Sequence, residues 1–574
     1  MSACRVGVMR SGSGKICDMK YLGLLIALIV FVVQLILLPR VGMSWDEPSS
    51  FFVGRANLQF WMTGNRRYLD ELKDKQLFAD SPFPYIYGED IYPPFQFLVS
   101  SATSYVFAEH LHLWDVPTAH HVGELIIAVL GVAAMYGLAI EVGLTTVVAC
   151  AVTFMYALYP TIADQMRNDA KDVPLMSLLV VAAYFFVKTL SAWRKKRGVA
   201  LVWGNGVLFA LFLGLAQGTK PTAVIFVPII VLWIILSALT NTKFAKSLKP
   251  VGPLIVTTIT LSVIGIAVFF LVWPWLWEDP VGRLTAAWSF FRVVGYNMPV
   301  LYFGQIYHAG INLPREYPFI ILLIQSPIEL SVLALIGILW AIYEVIRKRF
   351  VYPMLFVIWF FVSMGRFLLP GFIIYAHIRH IIDALPAYFI LAGFGAQAII
   401  LWVKEHIRRL AFLPYLLFVA TLGVIIGHEL SISVTFFPYE ANYYNAFVGG
   451  AKRVADKELF DIGPSNAVKE AMDVIAKDSA GKSVLVYPCQ LGHVAMSYTR
   501  PTVKVTSSMV NANYTFVPNA ASWFKGAMDS NRASHLLVYT VRRDGADLFW
   551  VYKYTVPFGW RCGWETESNY EYQD

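Results

Sequence analysis

The sequence predicts an all-α polytopic membrane protein of about eleven transmembrane helices, with a large first external loop and a small external α/β domain at the C-terminus. Composition is the first observation: of 574 residues, 57% are hydrophobic and only 15% charged, against about a quarter charged in ordinary soluble domains. The second is that apolar runs of about twenty residues recur along the chain. The third is that dense basic clusters fall in alternate loops between those runs. Together they exclude a cytosolic enzyme, a disordered chain and a secreted disulfide scaffold. The formal net charge of +8 follows from orienting basic loops and calls for no nucleic acid.

The first run, Tyr21 to Leu38, follows Arg5, Arg10, Lys15 and Lys20. It is too long for a signal-peptide core and no small-residue cleavage pattern follows, so it reads as a signal anchor with residues 1–20 cytoplasmic. Ser11-Gly12-Ser13-Gly14-Lys15 is no phosphate loop, because the first glycine of that spacing would fall on Met9 and no strand precedes it. Further spans are expected at about 121–140, 144–160, 173–193, 199–216, 221–239, 252–273, 318–345, 351–369, 383–402 and 411–430. With the N-terminus inside, Arg194-Lys195-Lys196-Arg197, Lys243 with Lys246 and Lys249, Arg347-Lys348-Arg349, and Lys404 with Arg408-Arg409 all lie on the cytoplasmic side. The expected location is therefore the cytoplasmic (inner) membrane, with the odd span count placing the C-terminus outside.

Residues 21–430 then form the membrane domain, with external loops over about 40–120 and 274–317, and residues 431–574 form the external domain. Strand-like runs Ser483–Tyr487, His535–Thr540 and Leu548–Tyr554 follow a helical stretch near 466–477 in this tail. Of five cysteines, only Cys489 and Cys562 lie there, and they pair if the compartment is oxidising. Asn513-Tyr514-Thr515 fits a glycosylation acceptor, but so short a pattern arises by chance.

Charges at membrane span ends are costly and mark functional candidates. On the outer side they are mixed in sign: Ser44-Trp45-Asp46-Glu47-Pro48 after the first span, Asp164 through Asp172 before Val173-Pro174, Lys220 in Gly218-Thr219-Lys220-Pro221, and His377-Ile378-Arg379-His380 with Arg366 upstream. Such a set suits transfer from a phosphate-bearing lipid. A carboxylate takes a proton from an acceptor hydroxyl, and fixed cations hold the donor phosphate as charge builds on it. The plain alternative is that these groups snorkel and pair across loops. Asp46-Glu47 stands out, since adjacent carboxylates directly after an anchor have little packing use. Glu109, His110, His112, Asp115, His120 and His121 match no standard metal-ligand spacing. No cofactor is identified, and a divalent metal stays an open alternative. Tyr92-Pro93-Pro94 is expected to start a helix on the membrane surface, Phe95 to Phe107.

Several segments resemble the GT-C membrane glycosyltransferases, in particular the bacterial protein O-mannosyltransferase-like group (glycosyltransferase family 39). Trp45-Asp46-Glu47-Pro48 is similar to the acidic motif of the family's first external loop, and Lys171-Asp172-Val173-Pro174 to its KDIP segment. Trp273-Pro274-Trp275-Leu276-Trp277 with Asp279-Pro280-Val281-Gly282-Arg283, Arg379-His380 with Pro386, and Pro438-Tyr439-Glu440 through Tyr443-Tyr444-Asn445 and Val448-Gly449-Gly450 continue the likeness in order. The resemblance implies an inverting enzyme using a polyprenyl-phosphate-linked sugar, with Asp46 as base and Glu47 orienting it or the acceptor. Lys171, Lys220 and Arg379 are then candidates for holding the donor phosphate, with Asp172 and His380 as supports. Many relatives carry asparagine and histidine where this chain has Asp169 and Gln165. Ile91-Tyr92 replaces the Glu-Lys pair of the related aminoarabinose transferase, so that enzyme's metal and phosphate contacts do not carry over and its substrate is not expected.

The acceptor stays open among protein, lipid and polysaccharide. Two rival readings are a transporter or lipid-sugar flippase, for which an internal repeat is expected and none is visible, and a scaffold whose external domain binds a partner.

Overall fold

A computed structural model describes residues 21–79, 91–169, 171–347, 351–406 and 412–554. Counting helices of nine residues or more, the first are α1 (Leu22–Leu37), α2 (Glu47–Thr63), α3 (Phe95–Ser104), α4 (Val116–Glu141), α5 (Thr146–Leu158) and α6 (Asp172–Arg194). Next come α7 (Val199–Gln217), α8 (Phe226–Thr240), α9 (Val251–Leu271), α10 (Pro280–Val293), α11 (Tyr317–Gln325) and α12 (Ile328–Ile346). The last are α13 (Tyr352–Gly365), α14 (Leu385–His406), α15 (Phe412–Phe436), α16 (Val468–Asp478) and α17 (Ala521–Ser534).

Among the described residues, nine helices are long and apolar enough to cross a membrane, and the shorter apolar helices Thr146–Leu158 and Tyr352–Leu368 bring the set to the expected positions. Burial separates them. The spans Val116–Glu141, Asp172–Arg194 and His377–Val403 are 67%, 78% and 78% buried within the protein, whereas Val251–Leu271 is only 17% buried. The first three are therefore the centre of the bundle, and two of them, Asp172–Arg194 and His377–Val403, carry Asp172 and Arg379. Helices α12 and α14 touch through glycines: a Cβ on Gly337 would fall 1.7 Å from Leu391 O, and one on Gly395 would fall 2.0 Å from Leu333 O. Small residues permit this approach where no hydrophobic force pulls helices together.

One expected span is corrected. The run 318–345 is two helices, α11 and α12, broken at Ser326-Pro327. Pro327 supplies no amide hydrogen, which frees carbonyls of the preceding turn. Asn445 takes them up: its backbone N–H donates to Ile324 O (2.8 Å), and its Nδ2 donates to Leu323 O (2.7 Å) and Ser326 O (2.8 Å). Hydropathy is blind to such a break because the residues on both sides are equally apolar. The expected surface helix is also modified, since α3 ends at Ser104 and continues as a π-helical turn over Tyr105–His110.

The tail carries a five-stranded mixed sheet in the order β4-β3-β5-β7-β6, built from β3 (Val484–Tyr487), β4 (Val503–Val505), β5 (Tyr514–Pro518), β6 (Leu536–Arg543) and β7 (Ala546–Lys553). A separate hairpin, β1 (Pro299–Tyr302) with β2 (Gln305–His308), lies in the second large loop. The three strand-like runs match β3, β6 and β7, and the helical stretch matches α16; β4 and β5 were not foreseen. Cys489 is disulfide-bonded, and Cys562 lies outside the described residues.

The tail is packed onto the segment between α1 and α2. Tyr498 OH accepts from Met43 N (2.8 Å), Lys469 Nζ donates to Pro39 O (2.7 Å), and His493 Nε2 lies 2.9 Å from Trp45 O with its ring edge-on to the Trp45 indole. Gly42 is needed there, because a Cβ would sit 2.1 Å from Asn466 O.

Candidate active site

Asp46 is the residue before α2 begins, and Pro48 sits in that helix's first turn. An aspartate here ordinarily caps the helix with its side chain. Asp46 does not: its carboxylate is turned outward to accept from Arg379 Nη2 at 2.6 Å, with Lys171 Nζ at 3.3 Å. The same guanidinium donates through Nε to Asp172 Oδ2 at 3.0 Å, and Lys220 Nζ donates to Asp172 Oδ1. Four segments far apart in the chain thus converge on one chain of charges, Lys171–Asp46–Arg379–Asp172–Lys220. Asp172 is fully buried, while Asp46, Arg379 and Lys220 keep 27%, 28% and 17% of their side chains exposed. The network opens on the Asp46 and Arg379 side.

Each group is placed by its local backbone. Asp169 Oδ1 accepts from the N–H of Lys171 (2.8 Å) and of Asp172 (2.9 Å), which shapes the turn entering α6 and sends Lys171 and Asp172 to the same side. Lys171 Nζ also stands 4.5 Å from the centre of the Tyr92 ring, a cation–π contact. Arg379 lies in the 3₁₀ turn His377–Ala384, which Arg366 fastens by donating to both oxygens of Asp383 (2.5 and 2.8 Å) and to His380 O (2.8 Å). Arg366 is committed to that turn. His380 packs its ring edge-on against Tyr375 at 4.4 Å and supports the turn through its carbonyl.

Burial favours the protonated form of Asp46, but the charges of Lys171 and Arg379 outweigh it and hold the carboxyl below the usual carboxylate range. Burial raises Glu47 well above its ordinary value, against the pull of the Ser44 amide. Asp169 is pushed up to about 6 by burial and by the neighbouring Asp172 charge.

Glu47, expected beside Asp46 in the reaction, points the other way. It is 1% exposed, accepts from Ser44 N, and lies 2.8 Å from His121 Nε2. The histidine-rich cluster read from the sequence does not assemble. Glu109 pairs with Arg55, Asp115 caps α4 through Thr118 N at 2.9 Å, His110 packs on Tyr105, His112 Nδ1 contacts Ala108 O, and His120 lies against Phe51. Of that group only His121 meets other ligand-type side chains, namely Glu47 and Glu124. Glu124 was missed although a carboxylate three residues after a histidine inside an apolar run is a recognisable signal.

The remaining motif segments make contacts between parts of the fold. Arg167, fully buried, donates to Glu440 at 2.5 Å, and Asp164 accepts from Ala441 N at 2.9 Å, so the loop before α6 is tied to the segment that opens the tail. Arg283 donates to Glu278 (2.9 Å), Asp70 (3.2 Å) and Trp275 O, joining the tryptophan-rich turn to the first external loop.

No family model and no curated protein matches this sequence. Solved structures do. The chain is 13% identical to ArnT from Cupriavidus metallidurans in the apo state, covering 94% of this chain and 98% of that one with a TM-score of 0.52. The same enzyme bound to undecaprenyl phosphate matches at 12% identity over 94% and 98% with a TM-score of 0.47. The oligosaccharyltransferase of Archaeoglobus fulgidus, tethered to an acceptor peptide, matches at 12% over 92% of this chain and 74% of that one with a TM-score of 0.47. The nearly end-to-end superposition on apo ArnT includes the membrane bundle and the tail domain alike, and the chain has the GT-C fold.

Proposed function

We propose that this protein is an integral membrane glycosyltransferase that moves a sugar from a polyprenyl-phosphate-linked donor to an acceptor hydroxyl on the outer face of the cytoplasmic membrane, with inversion. The observation that carries the reading is the Lys171–Asp46–Arg379–Asp172–Lys220 network at the ends of central helices, open on one side. Three cations there share the carboxylates of Asp46 and Asp172. A phosphate entering beside Arg379 competes for the same donors, and arginine grips two oxygens where lysine acts as a point charge. As cations turn toward the phosphate, Asp46 loses the charges that suppress its basicity, and its affinity for a proton rises.

The chemistry is then a single displacement. The acceptor oxygen forms a bond to the anomeric carbon as the bond from that carbon to the phosphate oxygen breaks. The hydroxyl proton passes to Asp46, and the leaving polyprenyl phosphate keeps the electron pair, stabilised by Lys171, Lys220 and Arg379. Attack opposite the leaving group inverts the centre. Glu47 holds the start of α2 rather than the acceptor, and His380 backs the Arg379 turn.

The test is sugar transfer from a synthetic polyprenyl-phosphate sugar by purified protein. Asp46→Asn is expected to lower turnover by about 10² to 10⁴, the range for losing a general base, in protein that still folds. Near-normal turnover of a folded Asp46→Asn variant overturns the assignment.

A further inference from the structure

We propose that Glu47, His121 and Glu124 form a divalent-metal site, of the class that takes Zn²⁺ ahead of Mn²⁺ and Mg²⁺, which pins the start of α2 to α4 behind Asp46. The three side chains are 1%, 0% and 0% exposed. One ligand atom from each lies within 4.8 Å of the others, so a small inward movement of the side chains brings all three onto one ion with bonds of about 2.0–2.2 Å. His121 and Glu124 are three apart on α4, so they share a face of that helix.

The independent sign is the polar atoms left over. Both carboxylate oxygens of Glu124, Oε1 of Glu47 and both ring nitrogens of His121 are buried outside strict hydrogen-bond geometry with any partner, although the Asp169 backbone N–H stands toward the Glu124 carboxylate. The Glu47–His121 approach of 2.8 Å brings the atoms close without hydrogen-bond geometry. Buried polar atoms are almost always satisfied, and five at one point on three neighbouring residues is the pattern expected where a bound ion supplies the missing contacts. One imidazole with two carboxylates suits a borderline ion. Because Glu47 is the residue after Asp46, the ion would be a positioning element, and no part of the inference depends on the reaction proposed above.

Metal content of the purified full-length protein in detergent reads this directly. About one equivalent of Zn²⁺ per chain is expected by elemental analysis, falling after chelator dialysis and returning on adding Zn²⁺. Re-addition is expected to raise the melting temperature, as any ligand of the folded state does, with Mn²⁺ weaker and Mg²⁺ weakest. Glu124→Gln and, as a milder change, His121→Gln should each weaken Zn²⁺ binding by at least about tenfold. Absence of metal in the wild type with no thermal response to added Zn²⁺ overturns the site. So does a Glu124→Gln protein that binds Zn²⁺ as tightly as the wild type. Should the variants not fold, the wild-type chelation and re-addition series alone decides the question.

Discussion

Arg379 touches both acidic residues of the network, using Nη2 for Asp46 and Nε for Asp172. A lysine places a single ammonium and cannot span the two. Arg379→Lys is therefore expected to raise the KM for the donor and to lower kcat/KM by about 10- to 100-fold, measured with purified protein in the transfer assay. Unchanged donor kinetics would remove Arg379 from the phosphate site. At the tail, burial lowers His493 below its ordinary value of 6.5, against the opposing pull of its hydrogen bond to Trp45 O and of the Asp46 charge. The unfolded chain then takes the proton first, so the stability contributed by His493 is present above about pH 6.5 and is lost as pH falls through that value. The wild type should lose more melting temperature than His493→Gln between about pH 7.5 and 5.5, and parallel curves would refute the assignment. Asp46 was legible in the sequence because an acidic pair after an anchor is conspicuous. Glu124 carries a readable signal as a carboxylate three residues after His121 in an apolar run, but that it meets Glu47 is set only by the folding of α2 against that part of the bundle.

At the scale of elements, apolar runs gave the spans their positions, since the membrane core demands about twenty residues whatever the packing. What a run cannot display is a break repaired from a distant part of the chain. Asn445 lies more than a hundred residues from Ser326, yet its side chain satisfies the carbonyls that Pro327 exposes. The Tyr443-Tyr444-Asn445 motif was readable only as a resemblance, and the structure supplies its reason. Asn445→Ala leaves Leu323 O and Ser326 O buried without that donor, and an unsatisfied buried group costs about 1–3 kcal/mol. The variant should unfold about 2–4 kcal/mol more easily in denaturant titrations, with residual activity low because α11 and the turn holding Arg379 lie side by side. Asn445→Asp is expected to do no better, since an ionised carboxylate donates nothing. Likewise β4 is hard to read because three residues are too few to establish a period, and β5 because all five of its residues are buried and it ends at Pro518.

For the molecule as a whole, the scarce charges fall into two populations at opposite ends of the same helices. Helix α6 begins at Asp172 in the ion network and ends at Arg194, next to Lys195, Lys196 and Arg197. The three 0%-, 5%- and 8%-exposed charged side chains of Asp172, Lys171 and Arg366 stay within the protein on the network side, whereas Lys195, Lys196 and Arg197 are exposed at the other end. Exposed lysine and arginine are retained on the cytoplasmic side during insertion, so the network is expected on the outside together with the tail sheet. Single cysteines in a chain whose native cysteines are replaced by serine can test this in intact spheroplasts with a membrane-impermeant maleimide. A cysteine at Lys196 should label only after lysis. One at Gln305, in the exposed part of the β1–β2 hairpin, should label before it. The opposite pattern would turn the protein over and put the Asp46 network in the cytoplasm. Donor and acceptor would then have to meet on the inner face, and the proposed reaction at the outer surface would fail with the orientation.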